Sequence, residues 1–295
     1  MNSGLKVLIY MLLLSSCRVN PYVVVDSSNH SSRINYLVIH ATSENFAESL
    51  RLLTTPTDNP VSSHYLVPTE NDTSYTANGL KVYSLVPEQR RAWHAGVSRW
   101  GEEVGLNDRS IGIEVVNEFK CEELEEAVEE TQVGDLVCVF PPYSSKQIKQ
   151  LSRLLIDILG RYPHIESINI VGHSDVALVR KSDPGPLFPW QDLYQLGIGA
   201  WPDRADVDYF LSRLADARPS VDGVQKALVI LGYGIDVSNT VDNATEFAVR
   251  ALQLHFRPAN YSGELDDETI AILWALIKKY RHQEYKEHSN ELVFR

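Results

Sequence analysis

Hydrophobic and polar positions follow two different rhythms along the chain. The run Ile34-Asn35-Tyr36-Leu37-Val38-Ile39-His40 is short and rich in β-branched and aromatic residues, so it reads as a buried strand with His40 at its end. Similar runs at His64–Val67, Val82–Val86, Ile111–Val116 and Ile168–Val171 are further candidate strands. Between them, Phe46–Leu53 and Ser145–Tyr162 carry a helical period; in the second, Ile148, Leu151, Leu155, Ile158 and Leu159 form one apolar stripe. Strands interleaved with helices predict an α/β (or α+β) domain with a mixed central sheet flanked by helices. The prolines and glycine of Pro184–Trp190 forbid regular structure, and a boundary is expected at Gly197–Pro202. Beyond it the period is helical throughout, at Val207–Leu214, Val221–Leu231, Glu246–Phe256 and Asp267–Tyr280, which predicts a second, small all-helical domain.

At 295 residues the chain has room for two such units. The expected organisation is residues 1–16 as a processing signal, 17–32 as a tether, 33–200 and 203–280 as the two folded units, and 281–295 as a tail. A lone Lys6 precedes the apolar run Val7–Leu14, which is too short to span a bilayer but suits a signal-peptide core. The small residues Ser15-Ser16 before Cys17 resemble the lipobox of bacterial lipoproteins, which implies acylation of Cys17 and a membrane anchor. Arg18 stands where enterobacterial lipoproteins kept at the inner membrane carry Asp, so the resemblance implies an outer-membrane protein facing the periplasm. That compartment is oxidising, and it leaves Cys121 and Cys138 as a candidate disulfide whose formation rests on geometry.

A formal charge of −12 argues against nucleic acid as a partner, since phosphate binding needs a surplus of Lys and Arg. Much of the acidity falls in Glu118–Asp135, which is expected to be a solvated helix or loop.

Metal-competent side chains interrupt three apolar runs: VIHAT around His40, SIGIE ending at Glu114, and GHSDVALVRKSDPGP from Gly172 to Pro186. A single histidine in such a run is more often a hydrogen-bonded packing residue. Two histidines and a carboxylate, however, make a three-ligand zinc site with one coordination position open, which suits hydrolysis.

VIHAT, AWHAGVSRW, SIGIE, GHSD and RKSDPGPLFPW, in this order, resemble the type 2 N-acetylmuramoyl-L-alanine amidases, zinc enzymes of AmpD and AmiD type, over about Arg33–Trp190. Within that family the chain looks most like the AmiD-type lipoproteins. The resemblance implies His40, His173 and Asp183 as ligands of one Zn²⁺ per chain, Glu114 as general base and Lys181 as the cation facing the oxyanion. His64, His94 and Asp175 also lie in family-like segments and compete as ligands, ranked second: His94 with Trp93 is expected to line the substrate cleft, Asp175 to orient His173 as metal-bound histidines usually need, and His64 to pack beside the first strand. Leu178 stands where relatives commonly have proline, and Cys121–Cys138 looks like an insertion. VQKALVILGYGID, AVRALQLHFRP and YSGELDDETIAILWAL resemble a three-helix peptidoglycan-binding domain; the bland alternative is a helical cap packed permanently on the first domain.

The expected activity is hydrolysis of the amide between N-acetylmuramic acid, or its anhydro form, and L-alanine of the peptidoglycan stem, with peptidoglycan or muropeptides as partner. A non-catalytic peptidoglycan-binding lipoprotein is the alternative, and a zinc peptidase cutting within the stem is the third reading.

Overall fold

The computed structural model describes residues 22–123 and 136–292. The expected signal segment and Cys17 lie outside the described residues, as does most of the acidic stretch. Residues 22–32 belong to a small unit of their own, without helix or strand.

The second unit, Arg33–Arg295, is built on a five-stranded sheet ordered β3-β2-β6-β1-β9, with β1 at Tyr36–Ala41, β2 at Tyr65–Val67, β3 at Tyr83–Ser84, β6 at Ser110–Val115 and β9 at Ile170–Gly172. Every pairing is parallel except β2 with the edge strand β3. Two short hairpins stand apart, β4 (Arg99–Trp100) with β5 (Glu103–Val104) and β7 (Lys120–Glu123) with β8 (Leu136–Val139). The start of the acidic stretch is therefore strand, where a helix or loop was expected. The reason is local: Cys121 pairs opposite Cys138 across β7 and β8, and a disulfide joins them, with S–S 1.99 Å and Cα–Cα 4.0 Å.

Alternation along the strands divides the sheet into two faces. Leu37 and Ile39 of β1, with Ile111, Ile113 and Val115 of β6, pack with Leu151, Leu155 and Ile158 of α2 (Ser145–Arg161). Ser144 caps that helix, its hydroxyl accepting from the Gln147 amide. On the other face, Val38 and Val171 share one core with Trp100, Leu106, Val176 and the helices α5 (Arg204–Leu214), α6 (Val221–Leu231), α7 (Asn243–Phe256) and α8 (Asp267–Tyr280). A further helix, α9 (His282–Leu292), follows where a tail was expected.

One buried core thus runs across the expected boundary at Gly197–Pro202. Apolar burial contributes about 25 cal/mol per Å² of surface removed from water, so this shared core holds the helical region to the sheet. Backbone hydrogen bonds cross the same seam, with the Gly101 amide donating to the Gly232 carbonyl at 2.7 Å and Trp100 bridging to Tyr233.

Candidate metal and catalytic site

The adjacent strands β6, β1 and β9 run parallel, and each carries a residue singled out by the sequence at or just past its carboxyl end. His40 lies at the end of β1, Glu114 is its register partner on β6, and His173 follows β9 as the first residue of α3 (His173–Val176). Carboxyl ends of parallel strands are where α/β sheets place their ligands. The fourth residue, Asp183, arrives on the irregular stretch after α3, and Ser174 N donates to its carbonyl at 2.9 Å.

These side chains converge. His40 Nδ1 lies 3.0 Å from His173 Nδ1, and Asp183 Oδ2 lies 3.3 Å from His173 Nδ1 and 3.5 Å from His40 Nδ1. Donors placed about 2.0–2.2 Å from a tetrahedral ion stand about 3.3–3.5 Å from one another. The two imidazole–carboxylate separations match that and the imidazole–imidazole one is a few tenths of an ångström shorter, so with two imidazoles and one carboxylate the group can hold zinc; all three are buried.

The far side of each ring fixes which nitrogen is free. His173 Nε2 donates to the Ala95 carbonyl at 3.3 Å, leaving Nδ1 as a lone pair. For His40 the partner is another histidine. Ser110 Oγ donates to the Leu106 carbonyl at 2.6 Å and accepts from His94 Nε2 at 3.1 Å; His94 Nδ1 then accepts from His40 Nε2 at 3.0 Å. A carbonyl can only accept, so the chain of bonds has one direction, and it ends with the His40 Nδ1 lone pair facing the site. Burial, then the neighbouring His173, takes His40 down to about 4, so the ring is neutral at pH 7. Burial first, then His40, His64 and His173, lower His94 well below the usual range.

His94, expected in the substrate cleft, is thus engaged on both ring nitrogens by protein groups. It is buried behind His40 and rests on Gly112, where a Cβ would come within 2.3 Å of the ring. Asn107 Oδ1 holds this segment by accepting from the His94 and Ala95 amides at 3.0 and 2.8 Å. Trp93, the next residue back, is 49% exposed and remains available at the surface.

Asp175 makes no hydrogen bond to the His173 ring. Its carboxylate accepts from Gly172 N, Tyr233 OH and His255 instead. Residues two apart on a helix do not face each other, so the side chains of His173 and Asp175 diverge. His64 packs against β6 and not against β1: its Nε2 donates to the Arg90 carbonyl, and its Nδ1 accepts from Gly112 N at 3.0 Å.

Glu114 borders a small cavity with Thr42, Ser49 and Leu53, and its Oε2 is buried without a hydrogen-bond partner. Burial, then the charge of Asp183, pushes its carboxyl up to about 8 against the opposing pull of Lys181. Lys181 itself borders a cavity of about 50 Å³ lined also by Phe140, Leu178, Phe247 and Tyr261. Leu178, the departure from the usual proline, packs against the core shared with the helices. Asp183 is held well below the usual carboxylate range: burial would raise it, but pairing with His173 and His40 outweighs that.

Ser110, Asn107 and the two residues that bond Asp175, Tyr233 and His255, were not singled out from the sequence. A signal existed for the first alone, because SIGIE places Ser110, Gly112 and Glu114 on one face of β6.

A mostly parallel sheet with two histidines and a glutamate at its strand ends, and an aspartate brought beside them by the stretch after α3, is the setting of a hydrolase family: the N-acetylmuramoyl-L-alanine amidase family model matches residues 30–186, and the chain belongs to that family. A peptidoglycan-binding domain model matches residues 217–273. N-acetylmuramoyl-L-alanine amidase AmiD of Escherichia coli K12 is 45% identical over 250 residues, 84% of each protein. The crystal structure of AmpDh3 from Pseudomonas aeruginosa in complex with anhydromuramic pentapeptide superposes with a TM-score of 0.78, at 41% identity, covering 90% of this chain and 99% of that one. The complex of E. coli AmiD with anhydro-N-acetylmuramic acid-L-Ala-D-γ-Glu-L-Lys gives a TM-score of 0.70, at 40% identity, covering 87% and 93%.

Proposed function

We propose that this protein hydrolyses the amide between N-acetylmuramic acid, including its anhydro form, and the L-alanine of the peptidoglycan stem. The observation that carries the reading is the meeting of His40 Nδ1, His173 Nδ1 and Asp183 Oδ2 within 3.5 Å, with an unpartnered buried Glu114 oxygen on the adjoining strand. His40, His173 and Asp183 would hold one zinc ion. Zinc bound there would polarise the scissile carbonyl and make water more acidic.

The remaining steps fall to the chain's own residues. Glu114 takes the proton of the attacking water and returns it to the leaving alanine nitrogen, and a carboxyl whose proton affinity lies near neutrality suits both directions. Lys181 faces negative charge that exists only in the transition state, so its attraction lowers the barrier without tightening substrate binding. His94 and Ser110 keep His40 in one tautomer, and Ala95 does the same for His173. Trp93 remains the candidate substrate contact.

Residues 203–280 would add affinity for the wall polymer, supported by the peptidoglycan-binding match. A wall-acting amidase belongs in the periplasm or cell wall, and the Leu14-Ser15-Ser16-Cys17 sequence supports an outer-membrane lipoprotein acylated at Cys17.

The test is product analysis. Purified protein with defined anhydro-muropeptides should release the intact stem peptide, chelator should stop it, and zinc should restore it. Products cut within the stem would point to a peptidase, and zinc-loaded protein that binds but releases nothing would make it a binding lipoprotein.

A further inference from the structure

The proposed chemistry leaves a buried polar cluster around Asp175 unused. Asp175 is fully buried, and its two oxygens accept three hydrogen bonds: Oδ2 from Gly172 N at 2.7 Å and from His255 Nδ1 at 2.7 Å, Oδ1 from Tyr233 OH at 3.0 Å. Gly172 immediately precedes His173 in the chain. Tyr233 follows α6 and His255 lies on α7, so both belong to the helical region. The His255 ring also stacks on Trp190 at 3.8 Å between centroids, and Trp190 opens α4 (Trp190–Gln195), seven residues after Asp183.

His255 therefore grips the ligand-bearing segment on both sides, through Asp175 beyond His173 and through Trp190 beyond Asp183. Ser174 N to the Asp183 carbonyl ties the two halves together. Gly172 admits no side chain, since a Cβ would meet Pro184 at 2.9 Å. The other nitrogen of His255 is buried without a partner, a cost that an apolar residue filling the same space would avoid. What a histidine adds over such a residue is a directed donor at Asp175.

Resting on the zinc-site reading above, we propose that Asp175, clamped by Tyr233 and His255, is a positioning residue for His173 and Asp183. The helical region is then part of the framework of the metal centre, in addition to any affinity it has for the wall. The same core and the same carboxylate join the two, so the module cannot swing away without releasing the ligand segment.

Zinc affinity of the full chain, measured by competition with a chelating dye, tests this. Asp175→Asn and His255→Leu should each weaken zinc binding by about tenfold or more, at the low end of what loss of an outer contact costs a metal site. His255→Asn keeps an N–H close to where Nδ1 lies and should recover much of the loss, although it packs worse than leucine. Combining Asp175→Asn with His255→Leu should weaken binding little further, because both break one contact. The visible absorption of the cobalt-loaded variants should change with affinity, reporting altered ligand geometry. If the single variants bind zinc within twofold of wild type, or if leucine serves as well as asparagine, Asp175 is a packing element and the proposal falls. Wild-type protein that takes up no zinc would instead overturn the amidase reading itself.

Discussion

The two histidines of the site look alike but are held by different parts of the molecule. His40 is secured within the sheet region, by His94, Ser110 and the Leu106 carbonyl, all between residues 94 and 110. His173 is secured at its ring by Ala95, but the turn that carries it is anchored by Tyr233 and His255, sixty and more residues further along. The comparison teaches that the hydrogen bonds behind one ligand come from the sheet region, while those behind the turn carrying the other reach into a helical region that sequence reading sets apart as a separate module.

The largest effect is expected at Glu114, which neither framework explains. Glu114→Gln should lose about 10²–10⁴-fold in kcat while zinc content measured by elemental analysis stays at the wild-type level. Next comes the His40 side: His94→Ala removes the hydrogen-bond partner of His40 Nε2 and should cost about 10–100-fold in zinc affinity. Gly112→Ala should have a similar consequence by a different route, since its Cβ would displace the His94 ring, and the Tm should fall with the affinity.

The smallest effect on the site is predicted far from both frameworks. Glu88 is buried and accepts from Arg161, Tyr65 and Tyr162. Burial pushes its carboxyl up, but the hydrogen bonds outweigh that and hold it below the usual range. A lowered folded pKa means that the unfolded chain binds the proton more readily. The stabilisation is therefore fully present above the ordinary glutamate pKa of about 4.3 and is lost as pH falls through the folded value. Glu88→Gln should flatten the acid limb of a Tm-against-pH curve and leave zinc affinity unchanged.

How much was legible in advance follows the same division. Strand positions, the main helices and the residues at the strand ends could be read because alternation and spacing are properties of short segments. His94 could not be placed, because it sits on an irregular segment and only tertiary folding lays it on Gly112. Asp175 was expected to orient His173, as metal-bound histidines usually need, whereas a two-residue step on a helix turns the side chains apart and points the carboxylate at α7. The boundary near Gly197–Pro202 is real as a break in periodicity, but the apolar positions on either side of it fill one core.

The bond broken is the most direct test of the whole account. Hydrolysis of an anhydro-muropeptide in ¹⁸O-labelled water, followed by mass spectrometry, should place the label in the lactyl carboxyl of the sugar fragment and leave an unlabelled stem peptide beginning with L-alanine. Label in a carboxyl of a shortened peptide would contradict it.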